Sequence, residues 1–265
     1  MFQTDAIVGP DGGVIIFLIL LSPAVGSFLA VLIDRLPRGE DALIARSRCR
    51  SCRNALTWRD LIPLVSFFAS RGVCRHCGAP VPQWLLAMEV SALVIALVLI
   101  LLWPESWPIH AMAVDLAFLW LLLALFAADL KWMRLPDLLT GALFGLVLLR
   151  SLVLPGMATG AALAGAVLGS MSFLILRWAY LRFRRREGLG LGDVKLMAGL
   201  GAFAGPLDLP LLILVAALLT LASALVLRVS GKQVNVATPF PFGAALCLSG
   251  ALLWVAYATA VIVPA

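Results

Sequence analysis

An all-α polytopic membrane protein is the fold class this sequence predicts, and three observations carry it. The chain is 63% hydrophobic and only 13% charged, with a mean hydropathy of +1.06, more apolar surface than a water-soluble core of ordinary shape can bury. Apolar runs of about 20 residues, the length that crosses a hydrocarbon core, recur along it. Lysine and arginine gather in a few of the segments between those runs.

Seven runs are clear, at 13–33, 84–103, 109–128, 135–154, 158–176, 209–229 and 241–263. A further stretch, 194–205, has about half the usual length and is rich in Gly and Ala, which suits a short or re-entrant crossing. With the N-terminus outside and this stretch counted, 19 of the 20 basic residues fall on the cytoplasmic side and only Arg150 does not. About eight transmembrane helices with both ends outside are therefore expected. The same distribution accounts for the net charge of +6, so the lipid bilayer, and not nucleic acid, is the partner that composition implies. Asp5 and Asp11 precede the first run with no basic stretch before it, so 1–33 is expected to stay as an uncleaved anchor.

The segment 34–83 is the one loop long enough for a small cytoplasmic domain. It carries Cys49, Cys52, Cys74 and Cys77 as two C-x-x-C knuckles with 21 residues between them, close to the zinc-ribbon pattern of four thiolates on two tight turns. Two disulfides or a dithiol redox pair are the alternatives. The nine arginines of the loop put it on the reducing side of the membrane, which favours structural zinc, and a domain this small needs such a staple. His76 is expected to be a surface residue and Cys247 a packing residue.

Carboxylates in or at a membrane each ask for an explanation. Asp129 ends the apolar run LLLALFAA and Asp193 follows GLGLG at the start of the short segment, so both lie at the cytoplasmic ends of their spans. Two acids at one depth can share a proton, one serving as base towards water and the other as acid towards the carbonyl oxygen and the leaving amine. Gly190 and Gly192 would let a substrate backbone or a neighbouring helix come close to Asp193. The alternative makes both acids helix-end residues balanced by Lys131, Arg134 and Lys195. His110 and Asp115 lie near the outer end of the third span, where Asp115 is expected to serve packing.

The stretches GSFLAVLIDRLPR (residues 26–38), LTWRDLIPLVSFFASRG between the knuckles, ADLKWMRLPDLLT, EGLGLGDVKLMAGLGAF and PFPFGAAL occur here in one order, with a D-x6-PD motif, a GxGD motif and the two cysteine pairs. In this the chain resembles the type IV prepilin peptidases, also called type II secretion leader peptidases, across most of its length. The resemblance implies a GxGD-type membrane aspartyl protease with Asp129 and Asp193 as the catalytic pair and 84–265 as the peptidase core. It also implies an inner-membrane location with the active site facing the cytoplasm. Its substrates would be prepilins or pseudopilins, cut after a glycine between a short basic leader and a hydrophobic helix. Many members also methylate the new N-terminus with S-adenosylmethionine. Glu89, Asp137, Glu187 and Lys195 occupy positions typical of the family, with supporting roles.

The chain departs from the family in reading Phe28-Leu29-Ala30 where F-L-N is usual, and in Asp34 where an aromatic is common. Methylation has no independent physical support in the sequence. No soluble βαβ unit is long enough for a dinucleotide-type site, and Gly199-Leu200-Gly201 reads as helix packing. A transporter would keep its key acids near the midplane, and a thiol oxidoreductase would keep its cysteines on the oxidising side; the sequence argues against both.

Overall fold

In a computed structural model, the structure describes residues 12–41, 45–153, 158–185, 188–231 and 240–262. The helices are α1 (Gly12–Arg35), the short α2 (Val65–Ala69), α3 (Gln83–Leu102), α4 (Ile109–Trp132), α5 (Asp137–Val153), α6 (Thr159–Arg184), α7 (Leu191–Val229) and α8 (Phe242–Ala258). Among the described residues the only β features are two isolated bridges, Arg48 with Ala55 and Val73 with Pro80. Five helices, α1, α3, α4, α6 and α7, are long and apolar enough to cross a membrane, while α5 and α8 have 17 residues each. The chain divides into two compact units, Met1–Leu101 and Leu102–Ala265.

In the first unit, α1 and α3 cross where Gly26 lies against α3. A Cβ there would come within 2.6 Å of the Met88 carbonyl oxygen and 2.9 Å of Ala92 Cβ, so the GSF stretch is required by helix approach. Asp34, the acid found where the family favours an aromatic, is buried at the end of α1. It receives Arg38 at 2.9 Å and Arg50 at 2.7 Å, and so ties the first knuckle to the helix. Arg35 donates to the carbonyls of Asp41, Ala45 and Arg46 and fixes the start of the loop.

In the second unit α4 is the inner helix, buried along most of its length, and α5, α7 and α8 pack around it or around one another. Lipid tails are as apolar as leucine, so this unit is held by contact density and hydrogen bonds more than by escape from water. Phe118 of α4 stacks on Phe203 of α7 with centroids 4.3 Å apart. Gly165 of α6 and Gly201 of α7 meet so closely that a Cβ on either would run into the other's carbonyl oxygen. The expectation that the small residues near 199–201 serve packing therefore holds.

The stretches 194–205 and 209–229, expected as separate crossings, are two helical limbs that follow each other directly within α7 and are parted at Gly205, where the backbone is not helical. Gly205 (φ 66°, ψ 178°) and the following Pro206 kink it, because the proline has no amide to continue the ladder. Its two limbs are about 21 and 36 Å long at 1.5 Å per residue. Arg150, the one basic residue assigned to the outside, is no loop residue. It lies in α5, buried, with Nε 2.5 Å from Asp115 Oδ1; Trp254 Nε1 donates to Asp115 Oδ2 at 2.9 Å, and the guanidinium stacks on Phe203. Asp115 thus does serve packing, as half of a buried ion pair.

Candidate active site

Asp129 stands in the last turn of α4. The helix ends there because Met133 turns left-handed (φ 49°) and its amide caps the Asp129 carbonyl at 2.8 Å; Pro136 then starts the next helix. A carboxylate at a helix C-terminus is disfavoured by its own helix, and here another helix compensates. The first-turn amides of α8, which have no partner within that helix, reach Asp129: Ala244 N–H donates to Oδ2 at 2.8 Å, and the Gly243 amide also donates. Gly243 makes this possible, since a Cβ there would lie 3.0 Å from Asp129 Oδ2 and 3.0 Å from Leu135 Cδ1.

Asp193 stands in the first turn of α7, three residues after the cap residue Gly190, whose amide its carboxylate accepts as in half of a capping box. It is half-buried, while Asp129 is buried. The two carboxylates lie within direct electrostatic reach of one another. Leu135 sits where the segments meet, 3.1 Å from where a Cβ on Gly192 would stand and against Gly243. Lys195 of α7 donates to Asp137 of α5 at 2.6 Å, an exposed bond between the GxGD and PD motifs.

Of the residues singled out from sequence, Asp129, Asp193, Gly190, Gly192, Asp137 and Lys195 thus gather where α4 ends and α5, α7 and α8 begin. Glu187 lies outside the described residues. Glu89 belongs to the other unit, where it accepts the Leu64 amide at 2.7 Å. Gly243, Ala244 and Leu135 were not anticipated. Their signal lay in PFPFGAAL, read only as part of a resemblance.

The four cysteines form a second constellation, with sulfurs all within 4.8 Å of one another and no disulfide. A tetrahedral ion about 2.3 Å from four thiolates sets them about 3.8 Å apart; the Cys49 and Cys77 sulfurs are 3.8 Å apart, so the group fits such a metal. The knuckles repeat one backbone pattern. Arg53 N–H donates to Cys49 O and Cys49 N–H to Asn54 O, as Gly78 does to Cys74 and Cys74 to Ala79. Amides of Cys52 and Ser51 bring the Cys49 thiol down to about 6. Cys77 is pushed up to about 11: the Ala79 amide acts the other way, but loss of hydration and the three neighbouring sulfurs outweigh it. His76 is exposed and Cys247 buried, as expected.

Two carboxylates in mutual reach, one held by amides and one more open, can activate water and protonate a leaving group. The bacterial peptidase A24 N-terminal domain matches residues 20–103 and the type IV leader peptidase family matches 116–225, one on each side of the boundary between the compact units. A prepilin leader peptidase/N-methyltransferase of Aeromonas hydrophila is 33% identical over 263 residues, 89% of each chain.

The chain belongs to the type IV leader peptidase family.

Other relatives of this leader peptidase chain include the type 4 prepilin-like proteins leader peptide-processing enzyme of Escherichia coli O78:H11, 34% identical over 85% of this chain and 88% of that one. A prepilin leader peptidase/N-methyltransferase of Pectobacterium carotovorum subsp. carotovorum is 36% identical over 77% and 72%. No solved structure matches it. Family and apolar helices together make it a multi-pass membrane protein.

Proposed function

We infer that this leader peptidase removes the short basic leader of prepilins or pseudopilins with Asp129 and Asp193 as its acid–base pair, in the inner membrane with the site facing the cytoplasm. The observation that supports the reading is that the two acids, 64 residues apart in sequence, stand at the end of α4 and the start of α7 around Leu135, which lies against both Gly192 and Gly243. One carboxylate takes a proton from water as its oxygen attacks the scissile carbonyl. The other gives its proton to the carbonyl oxygen; as the intermediate collapses, the first passes the proton it took from water to the leaving amine, and the second recovers its own from the gem-diol hydroxyl as the carbonyl re-forms. The α8 amides hold the Asp129 rotamer, and Gly190 holds that of Asp193. Asp137 is engaged with Lys195 and stands outside the proton path.

The same reading has eight crossings, with the two limbs of α7 as separate passes, and the division 1–33 anchor, 34–83 cytoplasmic loop domain and 84–265 peptidase core. Zinc is the metal that suits the four thiolates, with a structural role in a reducing compartment. Methylation of the new N-terminus with S-adenosylmethionine is the second activity in the relatives' names. A cavity of about 1190 Å³ in the first unit, lined by Asp34, Arg35 and Glu89 among others, has the room and mixed charge for a donor that is both zwitterion and sulfonium.

Purified protein incubated with a model prepilin, followed by N-terminal sequencing and mass of the product, tests the reading. Cleavage after the glycine is expected, with a methyl group added where the donor is supplied. Asp129→Asn and Asp193→Asn should each lower cleavage by about 10³-fold or more, and the double variant little further. Asp115→Asn and Asp137→Asn should keep substantial activity per folded molecule. A folded Asp193→Asn protein that trims near the wild-type rate removes Asp193 from the mechanism.

A further inference from the structure

The segment between the two knuckles is apolar and its side chains point away from the protein. Trp58 is 70% exposed, Phe68 69%, Val65 60%, Leu61 49% and Ile62 39%. A patch of this kind in water is a liability, and no described residue of the first unit covers it. It is also built, not slack. Leu64 forms the centre of a γ-turn of the rare hand (φ 61°, ψ −55°), with Val65 N–H donating to Pro63 O at 2.7 Å. A β-carbon residue holds that conformation only where its surroundings impose it, and the imposing group is Glu89, which accepts the Leu64 amide at 2.7 Å.

Glu89 sets the depth. It lies six residues beyond Gln83, about 9 Å along α3 at 1.5 Å per residue, and the 20 residues of α3 match a hydrocarbon core of about 30 Å. The γ-turn therefore stands beside the second turn of a membrane-crossing helix and not above its end. The charges fit an interface as well. Arg59 stacks on Trp58 at 5.3 Å and Arg71 ends the segment, while its acid, Asp60, is turned to Thr57 and Arg75. Tryptophan, aliphatic residues and arginine in one short piece are what the headgroup layer of an anionic leaflet accommodates.

We propose that residues 58–68 form a wedge seated in the phospholipid interface, anchored by Glu89, so that the loop is partly embedded in the leaflet from which α3 starts. The wedge rests on α3 crossing the membrane and not on the assignment of the acids, so it stands or falls apart from the peptidase reading.

The test places the photoreactive residue p-benzoylphenylalanine at position 68, or at the exposed position 76, in the full-length chain. The protein is held in nanodiscs of phosphatidylethanolamine and phosphatidylglycerol, irradiated and weighed intact. Position 68 should gain a phospholipid adduct about tenfold more often than position 76, and Ile62→Asp with Val65→Asp, or Glu89→Ala, should remove most of that excess. Equal adducts at the two positions overturn the proposal. So does a cross-link from position 68 to a second copy or to added prepilin in preference to lipid. Should the labelled protein not insert, brominated phospholipids decide: they should quench wild-type emission more than that of Trp58→Phe, and equal quenching overturns the wedge.

Discussion

Between Arg35 and Ala87 no described residue is buried, whereas α4 alone buries twelve of its 24, Phe118 and Trp120 among them. The loop has two short knuckles, four sulfurs, and ion pairs such as Asp34 with Arg50 and Asp60 with Arg75. The helical unit has stacked rings, glycine-to-glycine helix crossings and a buried ion pair. A region without a core concentrates its stability in a few groups, so single changes there should act all or none. A bundle spreads it over many contacts, so changes should act by degree.

The largest expected effect follows from the sulfurs. Purified protein should hold about one zinc per chain, and Cys49→Ser or Cys74→Ser should lose it, because three thiolates and a hydroxyl no longer supply the roughly 10 kcal/mol or more that structural zinc contributes to folding. Hydrogen exchange should then show the amides of 45–82 unprotected while α4 to α8 remain protected. Metal analysis that finds no zinc, with disulfides intact in cells, would reverse the roles given to the loop and its compartment.

Next comes Asp115→Asn in the bundle. It leaves Arg150, 3% exposed at its side chain, with its charge uncompensated, at a cost of about 3–5 kcal/mol. A thermal shift confined to the helical unit, with zinc retained, is expected. Replacing both partners by apolar residues of similar size should recover much of the loss. If Asp115→Asn instead released zinc, the two regions would not be independent.

Gly243→Ala should act mainly on turnover. The new methyl group stands 3.0 Å from Asp129 Oδ2 and must push either the carboxylate or the start of α8, and a displacement of that order costs about 10²-fold in rate. Gly250→Ala, whose methyl would meet Leu200 at 2.6 Å two turns further along α8, is the comparison. It should lower stability and leave kcat per folded molecule near wild type. Equal losses of kcat in both would reduce the α8 amides to ordinary packing.

Much of this was legible in the sequence because it rests on period and spacing. Apolar runs marked where most helices begin to within a few residues, though α6 runs eight residues past the expected 176 and α8 stops five short of 263, and two C-x-x-C pairs marked a sulfur cluster, since four side chains of one chemistry announce themselves. What remained hidden rests on backbone groups and tertiary pairing. The α8 amides that hold Asp129 carry no residue signature, and Glu89 finds the Leu64 amide 25 residues away through a turn that no leucine propensity suggests. Arg150 was counted as an external charge because topology rules count residues, whereas its partner lies 35 positions upstream on another helix. That 194–205 and 209–229 follow each other with no loop between them was less legible: Gly205 ends the first limb, as glycine before proline usually does, and Pro206 starts the second at once.

The smallest expected effect lies within the loop, where the two knuckles can be set against each other. The fourth residue after the first cysteine is left-handed in both, Arg53 at φ 58° and Gly78 at φ 70°. The left-handed conformation costs a residue with a β-carbon about 1–2 kcal/mol, whereas glycine adopts it freely. A Cβ on Gly78 would meet no atom within 4 Å, so Gly78→Ala isolates that backbone cost from any clash. It should weaken the loop by about 1 kcal/mol, read as roughly a fivefold easier loss of zinc to a competing chelator, since metal binding and folding of the loop are one equilibrium. Arg53→Gly should act in the other direction and by less, because glycine also gains freedom in the unfolded chain and offsets part of the relief. Should Gly78→Ala cost nothing while Arg53→Gly weakens the loop, the stability of the first knuckle would have to come from the Arg53 side chain, and the equivalence of the two knuckles would fail.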